Sequence, residues 1–509
     1  MTTLVMKFGG TSVGSAEAVR QVISIVKDAK TRWRNIVVVT SAIRGVTDTL
    51  VSLVEAAQSG DQPAIEGQLE LLRQRHQQAA REFIDPIEHA SLIQTVDAQI
   101  DELLSLLHQS LCEVVEKGSA DAKARDAILS MGERLMARIL SAIFTVNDIP
   151  SAPIDATEMI VTNAQFQNAQ PIDELSRRNV HRLIPPLLND GLVPVVTGYI
   201  GATEQGDVTT FGRGGSDYSG TYLASLLDAD EVWIWTDVDG VMSADPRQIK
   251  EARVLETISY EEVAEFAYFG AKVLHPRSVE PLIEPSIPLR VCNTFNPSHV
   301  GTRIQAHNDE QPRYLRAVTS VGGVLVFIPN GGNPHSADML QIVQQTLAEA
   351  FSQTTKPIIT VDSHSGHLLC YVVPTTAPRN ALNDSVNRLQ TIFTERYVNL
   401  NWRVESVAIV AAIGVVDVQQ TVQVLNALKS VKADLLALGH GSPECTLLVV
   451  PSSQALRVMR HLHRMIDAVQ MQLYYAENAP AAVTNIPTRR KRNNRQRGRS
   501  EPPQRVIPL

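Results

Sequence analysis

The 509-residue sequence predicts an α/β protein: an N-terminal parallel sheet with helices on both faces, followed by two small ferredoxin-like α+β domains. Three observations carry that expectation. Over about the first 300 residues short apolar, β-branched runs alternate with helical patterns, and continuous apolar strands separated by helices belong to a sheet buried on both faces. Further on, the rhythm changes to strand, helix, two strands, helix, and that order then recurs, which indicates a pair of split-βαβ units of about 80 residues each. With 44% hydrophobic and 20% charged residues, a chain of this length can bury a sizeable core and hold two to four domains.

The first strand is LVMKF, and after it Val19, Val22, Ile23 and Val26 fall on one helical face. IVVVTS, LVPVVTGYI, EVWIWT and PLRVC are the later strands of the sheet. Between about Val51 and Val146 the pattern is almost wholly helical, with LELLRQRH and IDELLSLLHQSLCEVVEK as its clearest parts, so a helical excursion from the sheet is expected there. Polar residues and a proline interrupt the pattern at NDEQPR, Asn308 to Arg313. The first small unit then reads VGGVLVFIP, ADMLQIVQQTLAEAF, PIITVD, HLLCYVVP and ALNDSVNRLQTIF. The second reads VAIVAAIG, TVQVLNALKSV, ADLLALG, TLLVVP and ALRVMRHLHRMI. The expected domains are therefore residues 1–305, 313–400 and 404–475, with a basic tail at 479–509.

No apolar run reaches the roughly 18 residues a membrane span needs, and Met1 leads straight into an apolar strand without a signal or transit pattern. A cytoplasmic protein with no membrane partner is expected. Cys112, Cys292, Cys370 and Cys445 are far apart with no histidine at ligand spacing, which points to buried, reduced thiols and not to disulfides or zinc. The formal charge of −8 is uneven: eight Lys or Arg and one Glu from Thr488 onward give about +7, leaving the rest near −15. RRKRNNRQRGR has no apolar residue to bury, and is read as a disordered, solubilising end, with contact to RNA or an acidic surface as the alternative.

The loops at the strand ends carry the chemistry, where open α/β sheets place ligands. KFGGTSVGS, Lys7 to Ser15, combines close-approach glycines, a helix start that favours an anion, and a mobile cation. It matches neither a Walker loop nor G-x-G-x-x-G, so phosphate binding and an ordinary tight turn both stay open. TTFGRGGSDYSG has the same design: Ser216 is the expected N-cap of the next helix, Arg213 offers a fork for a carboxylate or phosphate, and Asp217 is a carboxylate among cations. A local Arg213–Asp217 ion pair is the plainer alternative. WTDVDGVMSADPR and FGAKVLHPRS could complete a nucleotide site, and Asp237, Asp239 and Asp245 are either metal ligands or, as commonly, turn formers.

Together KFGGTSVGS, VVVTSAIRGVTD, MGER, TGYIGAT, TTFGRGGSDYSG, WTDVDGVMSADPR and FGAKVLHP stand in the order and rough spacing of the aspartate kinase family, and residues 4 to 305 closely resemble it. The following half resembles the family's paired ACT domains, most clearly in VAIVAAIG and LLALGHGSPECTLLVVP. The resemblance implies phosphorylation of the L-aspartate side-chain carboxylate by MgATP, with Mg2+ bound through the nucleotide phosphates and no metal held by protein ligands alone. A carboxylate nucleophile is already ionised at pH 7, so positioning and charge neutralisation, not a general base, would carry the reaction.

Carried over by position, the resemblance gives Lys7 and Asp217 the catalytic roles, the lysine offsetting charge on the transferred group and the aspartate orienting it. Ser41, Thr47, Glu133, Arg213, Gly214, Gly215 and Ser216 match substrate positions, Glu133 suited to the ammonium group and Arg213 to the α-carboxylate. Lys7, Gly9, Gly10, Thr236, Asp237, Met242, Arg247, Lys272 and Val273 match the ATP site. Met242 stands where many relatives have tyrosine. PNGGNPHSADML and GVVDVQQTVQVL depart from the family's effector segments, so the ACT-like units are read either as amino-acid effector sites or as dimerisation modules without a ligand. The expected protein is a homo-oligomer joined through those units, and the chain ends too soon for a fused homoserine dehydrogenase.

Overall fold

The computed structural model describes residues 2–270, 274–306, 314–329, 334–351, 356–363, 365–374, 377–414, 418–442 and 445–477. Residues 1–466 form one compact unit; of the separate unit 467–509, only the end of the last helix is described. The basic tail therefore lies outside the described residues, as do Asn308 to Arg313 and parts of both effector-like segments.

The N-terminal part runs β1 (Thr3–Phe8), α1 (Ala16–Arg32), β2 (Asn35–Thr40), α2 (Val46–Ser59), α3 (Gln62–Arg81), α4 (Ala90–Lys117), α5 (Ala122–Leu129), α6 (Met131–Val146) and β3 (Ser151–Ile154). It continues with α7 (Asp173–Asn189), β4 (Val193–Thr197), β5 (Ile200–Ala202), β6 (Val208–Thr210), α8 (Gly215–Leu226) and β7 (Glu231–Thr236). β8 (Thr257–Ser259), α9 (Tyr260–Tyr268), α10 (Glu280–Ile283), β9 (Leu289–Asn293) and β10 (Thr302–Gln305) complete it. The main sheet has the order β3-β4-β2-β1-β7-β9-β10-β8, parallel throughout except between β9 and β10.

Strand alternation sends the two sets of side chains to opposite cores. Met6, Phe8, Val38, Val195, Trp233 and Trp235 face α1 and the helical excursion α2 to α6. Val5, Val37, Val39, Val196, Ile234 and Val291 face the layer that contains Val180, Tyr222 and Leu282 of α7, α8 and α10. The central strands are buried on both sides, which is why they read as unbroken apolar runs.

The C-terminal part runs β11 (Ala317–Pro329), α11 (Ser336–Phe351), β12 (Ile359–Asp362), β13 (Gly366–Val372) and α12 (Ala381–Arg396). Then come β14 (Arg403–Ile413), α13 (Val418–Ser430), β15 (Ala437–Ser442), β16 (Cys445–Pro451) and α14 (Ala455–Glu477). The two α+β units are not separate sheets: their strands join in one antiparallel sheet of order β12-β13-β11-β14-β16-β15. β11 and β14 pair along nearly their whole lengths, so Ala317 to Gly322 adds an edge to the β14-β16-β15 half. Arg403 to Ser406 likewise adds one to the β11-β13-β12 half. β15 starts at Ala437, later than the expected strand ADLLALG, because Lys432 has a left-handed backbone and Asp434 is tied to the Gln454 side chain at 2.9 Å.

One face of this sheet carries its own helices in two cores, Val324, Val326 and Ile328 with α11 and α12, and Val410 and Ala412 with α13 and α14. The other face, including Val407, Ile409, Ala411 and Leu447, packs in one core with Tyr260, Val263 and Phe266 of α9. Three cysteines are buried as expected; Cys112 is only half-buried on α4, its sulfur 3.8 Å from the His108 ring.

Candidate active site

Four parallel strands deliver their C-terminal ends to one edge of the sheet, and glycines let the loops there come into contact. Gly9 donates to the Trp235 carbonyl at 3.1 Å, joining the end of β1 to the end of β7. Gly198 donates to the Thr40 carbonyl, and a Cβ on it would meet the Ser216 Cβ at 3.1 Å. A Cβ on Gly132 would stand 2.7 Å from that of Ala42, so the glycine of MGER lets α6 start directly against the loop after β2. The left-handed Gly214, at φ +75°, opens α8; a side chain there would run into His275 at 2.6 Å.

That geometry corrects one expectation: Gly214 is the N-cap of α8, and Ser216 lies inside its first turn. No side chain caps α8, nor α2 behind the left-handed Gly45, which leaves first-turn N–H groups at Thr47 and Ser216 without a side-chain acceptor. Helix starts of this kind favour an anion.

The charged groups are arranged around Lys7, a lysine buried in β1. Its Nζ lies 2.5 Å from Asp217 Oδ1, and Gly220, one turn along α8, leaves room for its stem at 3.1 Å. Asp217 thus pairs with Lys7 rather than with Arg213, which is exposed and forms no ion pair among the described residues. Glu133 sits in the first turn of α6, 4% exposed, with Oε2 unpartnered. Burial pushes its carboxyl up to about 7, against hydrogen bonds from the Ala42 and Glu133 amides and the charge of Lys7. Ser41 is buried at the end of β2, its N–H on the Phe8 carbonyl, while Thr47 is exposed.

Gly10 packs against the Ala42 carbonyl in the loop after β2; on the β7 side, Thr236 ends its strand with its hydroxyl on Asp237, and Asp237 is exposed. Met242 is half-buried and bridged to Val254. Arg247 is held in a fork on Asp245 at 2.8 and 3.0 Å and lines a cleft of about 280 Å³ with Arg460 and His463. Lys272 and Val273 lie outside the described residues. Asp239 accepts from Asn293 and Asn296, and no group of three or more metal-ligating side chains is gathered among the described residues.

Two residues inside the motifs TGYIGAT and FGAKVLHPRS are given no role by the sequence. Tyr199 has a left-handed backbone at φ +72°, an uncommon state for an aromatic residue, and its ring packs where a Gly215 Cβ would point. Burial raises its phenol, with Glu133 and Asp126 adding to the shift and Thr210 opposing it. Arg277 binds the Phe211 and Ala169 carbonyls at 2.9 and 2.7 Å and stacks over Tyr218, fixing the glycine turn from outside. These contacts join positions up to 108 residues apart.

Compared with known proteins, residues 2–293 match the amino acid kinase family. The chain is 29% identical over 476 residues to the chloroplastic bifunctional aspartokinase/homoserine dehydrogenase 2 of Arabidopsis thaliana, covering 90% of this chain and 50% of that protein. It spans about half the length of the curated relatives it matches. Among solved structures, E. coli aspartokinase III with aspartate and ADP superposes with a TM-score of 0.69 at 26% identity, over 91% of this chain and 99% of that one. The same enzyme with lysine and aspartate gives a TM-score of 0.72 at 26% identity, with the same coverage.

Proposed function

Because the chain belongs to the amino acid kinase family, we propose that it is an aspartate kinase, transferring the γ-phosphoryl group of ATP to the side-chain carboxylate of L-aspartate. The products are 4-phospho-L-aspartate and ADP, and the reaction opens the route to lysine, threonine, methionine and isoleucine. The observation that carries this reading is the unpartnered Oε2 of Glu133, buried beside Lys7. A buried carboxylate calls for a cation, and the ammonium group of a free amino acid supplies one. The structure of aspartokinase III with aspartate and ADP supports the choice of both substrates.

In this mechanism Arg213 grips the α-carboxylate and Glu133 the ammonium, with Ser41, Thr47 and Ser216 placing the remaining oxygens. The nucleophile is the ionised side-chain carboxylate, so no proton has to be removed. Lys7, aligned by Asp217, offsets charge on the phosphoryl group in transit, while Gly9 and Gly10 let the backbone approach it. Thr236, Asp237, Met242, Arg247, Lys272 and Val273 form the nucleotide side. Asp239 and Asp245 are engaged by local partners, which suits Mg2+ arriving on the nucleotide phosphates. The domains are residues 1–305 for catalysis and 313–400 and 404–475 as ACT-like units, which join a second copy. The lysine bound by aspartokinase III makes an amino acid the effector to test.

A steady-state assay with aspartate, glutamate and N-acetylglutamate tests the reading, repeated with lysine, threonine and methionine singly and in pairs. Aspartate is expected to have the highest kcat/KM. Preference for the N-acetylated acid would overturn the role of Glu133, and background turnover of every acid by folded protein would make the chain a binding subunit.

A further inference from the structure

Asp126 has no part in the chemistry proposed above, yet it is fully buried at a junction between the two halves of the amino-acid site. It lies on α5, which joins at Ser130 to α6, the helix that carries Glu133 seven residues further on. Its carboxylate accepts three hydrogen bonds from across the chain. Oδ2 takes the Gln167 amide at 2.8 Å and the Thr210 amide at 2.9 Å, and Oδ1 takes the Thr210 hydroxyl at 2.8 Å.

Both partners border the turn that carries Arg213. Thr210 ends β6, three residues before the arginine. Gln167 has a left-handed backbone at φ +67°, and its carbonyl comes within 2.7 Å of where a Gly212 Cβ would be. The Ala169 amide closes the same loop onto the Thr210 carbonyl at 2.9 Å. Three donors aimed at its two oxygens suit the ionised carboxylate; burial raises the carboxyl, against those donors.

We infer that Asp126 is a positioning residue that sets the separation of Glu133 from Arg213, and thereby the fit of the pocket to a free amino acid. This rests on the assignment of those two residues to the ammonium and α-carboxylate. The carboxylate offers an acceptor to all three donors at once, one oxygen taking both amides and the other the hydroxyl. An asparagine of the same shape can still take both amides on its oxygen and donate its NH2 to the Thr210 hydroxyl, whereas an alanine leaves all three donors without this acceptor and frees the turn from α6.

The test uses Asp126→Ala and Thr210→Val in the full chain. Charged hydrogen bonds of this kind correspond to roughly tenfold or more in binding, so Asp126→Ala is expected to raise KM for aspartate about tenfold, with KM for ATP within about twofold of wild type. Thr210→Val, which keeps the amide bond and loses the hydroxyl, should fall between. A residue that merely supports folding would lower thermal stability and the active fraction while leaving both KM values unchanged, and that pattern overturns the inference. Amide hydrogen exchange reads the clamp independently of the substrate: Gln167 and Thr210 should lose protection in Asp126→Ala while β1 and β2 keep theirs. Unchanged protection sinks the clamp whichever acid is the substrate. Lost protection in a protein that does not turn over aspartate upholds the clamp and overturns the substrate reading instead.

Discussion

Glu133 brings a cost of burial into the ligand-free protein that its substrate would remove. Its carboxyl is raised from 4.5 to about 7, so the folded chain holds this proton more tightly than the unfolded one, and stability from this group falls as pH rises from about 4.5 to 7. The penalty above pH 7 is on the order of 3 kcal/mol. Thermal melting of wild type against Glu133→Gln should show that slope in the former and its loss in the latter. Substrate binding has the opposite demand, for the ionised form, so KM for aspartate should rise up to about tenfold per unit as pH drops below 7. A KM flat between pH 5.5 and 7.5 would count against an ammonium at Glu133. The two cations divide the remaining work: Arg213→Ala should mainly raise KM for aspartate, whereas Lys7→Ala should lower kcat by about 10²- to 10³-fold. Equal effects of both on aspartate affinity would contradict that division.

At the level of elements, helix α3 hides a histidine in its core stripe. Ile65, Leu72, His76 and Ala80 are its buried residues, and His76 is tied by Nδ1 to the Leu72 carbonyl at 2.7 Å with Nε2 unpartnered. Burial lowers this histidine from 6.5 to about 4. The unfolded chain therefore takes up the proton first, and the stability contributed by neutral His76 is complete above pH 6.5 and lost as pH falls towards 4. Its sign is opposite to that of Glu133, so the two single variants, His76→Leu and Glu133→Gln, should tilt the pH profile of Tm in opposite directions. The start of α8 gives a steric test. Gly214→Ala would set a Cβ 2.6 Å from that of His275 in a left-handed backbone, and is expected to lower both Tm and activity. Unaltered activity would mean that the turn is not held as tightly as it looks.

On the scale of the whole molecule, the kinase-like part and the C-terminal sheet share one core. Tyr260, Val263 and Phe266 of α9 are covered by β11, β14 and β16 residues, and Ser243, next to Met242, binds His463 of α14 at 2.9 Å. A chain ending after residue 306 would expose the α9 face to water. It should be less soluble and melt well below the full chain; equal Tm values would show that the N-terminal part needs no cover. Deletion after Pro487, by contrast, removes the basic stretch that contains RRKRNNRQRGR, and activity should stay intact.

By itself the sequence determined the architecture and the inventory of the site. Short apolar β-branched runs with turns at their ends fit strands buried on both faces: LVMKF, IVVVTS and EVWIWT became β1, β2 and β7, while LVPVVTGYI split at Gly198 and Tyr199 into β4 and the start of β5. The glycine turns were legible because close backbone approach needs glycine, as at Gly10 and Gly214. What only the tertiary structure decided is who meets whom. The partner of Asp217 is Lys7, 210 residues away in the chain, and the neighbouring Arg213 is left exposed. Gly214 takes the cap from Ser216 because His275 fills the space beside it. Asp126 was silent in the sequence, and Tyr199 and Arg277 had no role assigned within TGYIGAT and FGAKVLHPRS, because an isolated acid, aromatic or arginine has no periodicity. Their meaning comes from burial and from hydrogen bonds that the packing of distant segments creates.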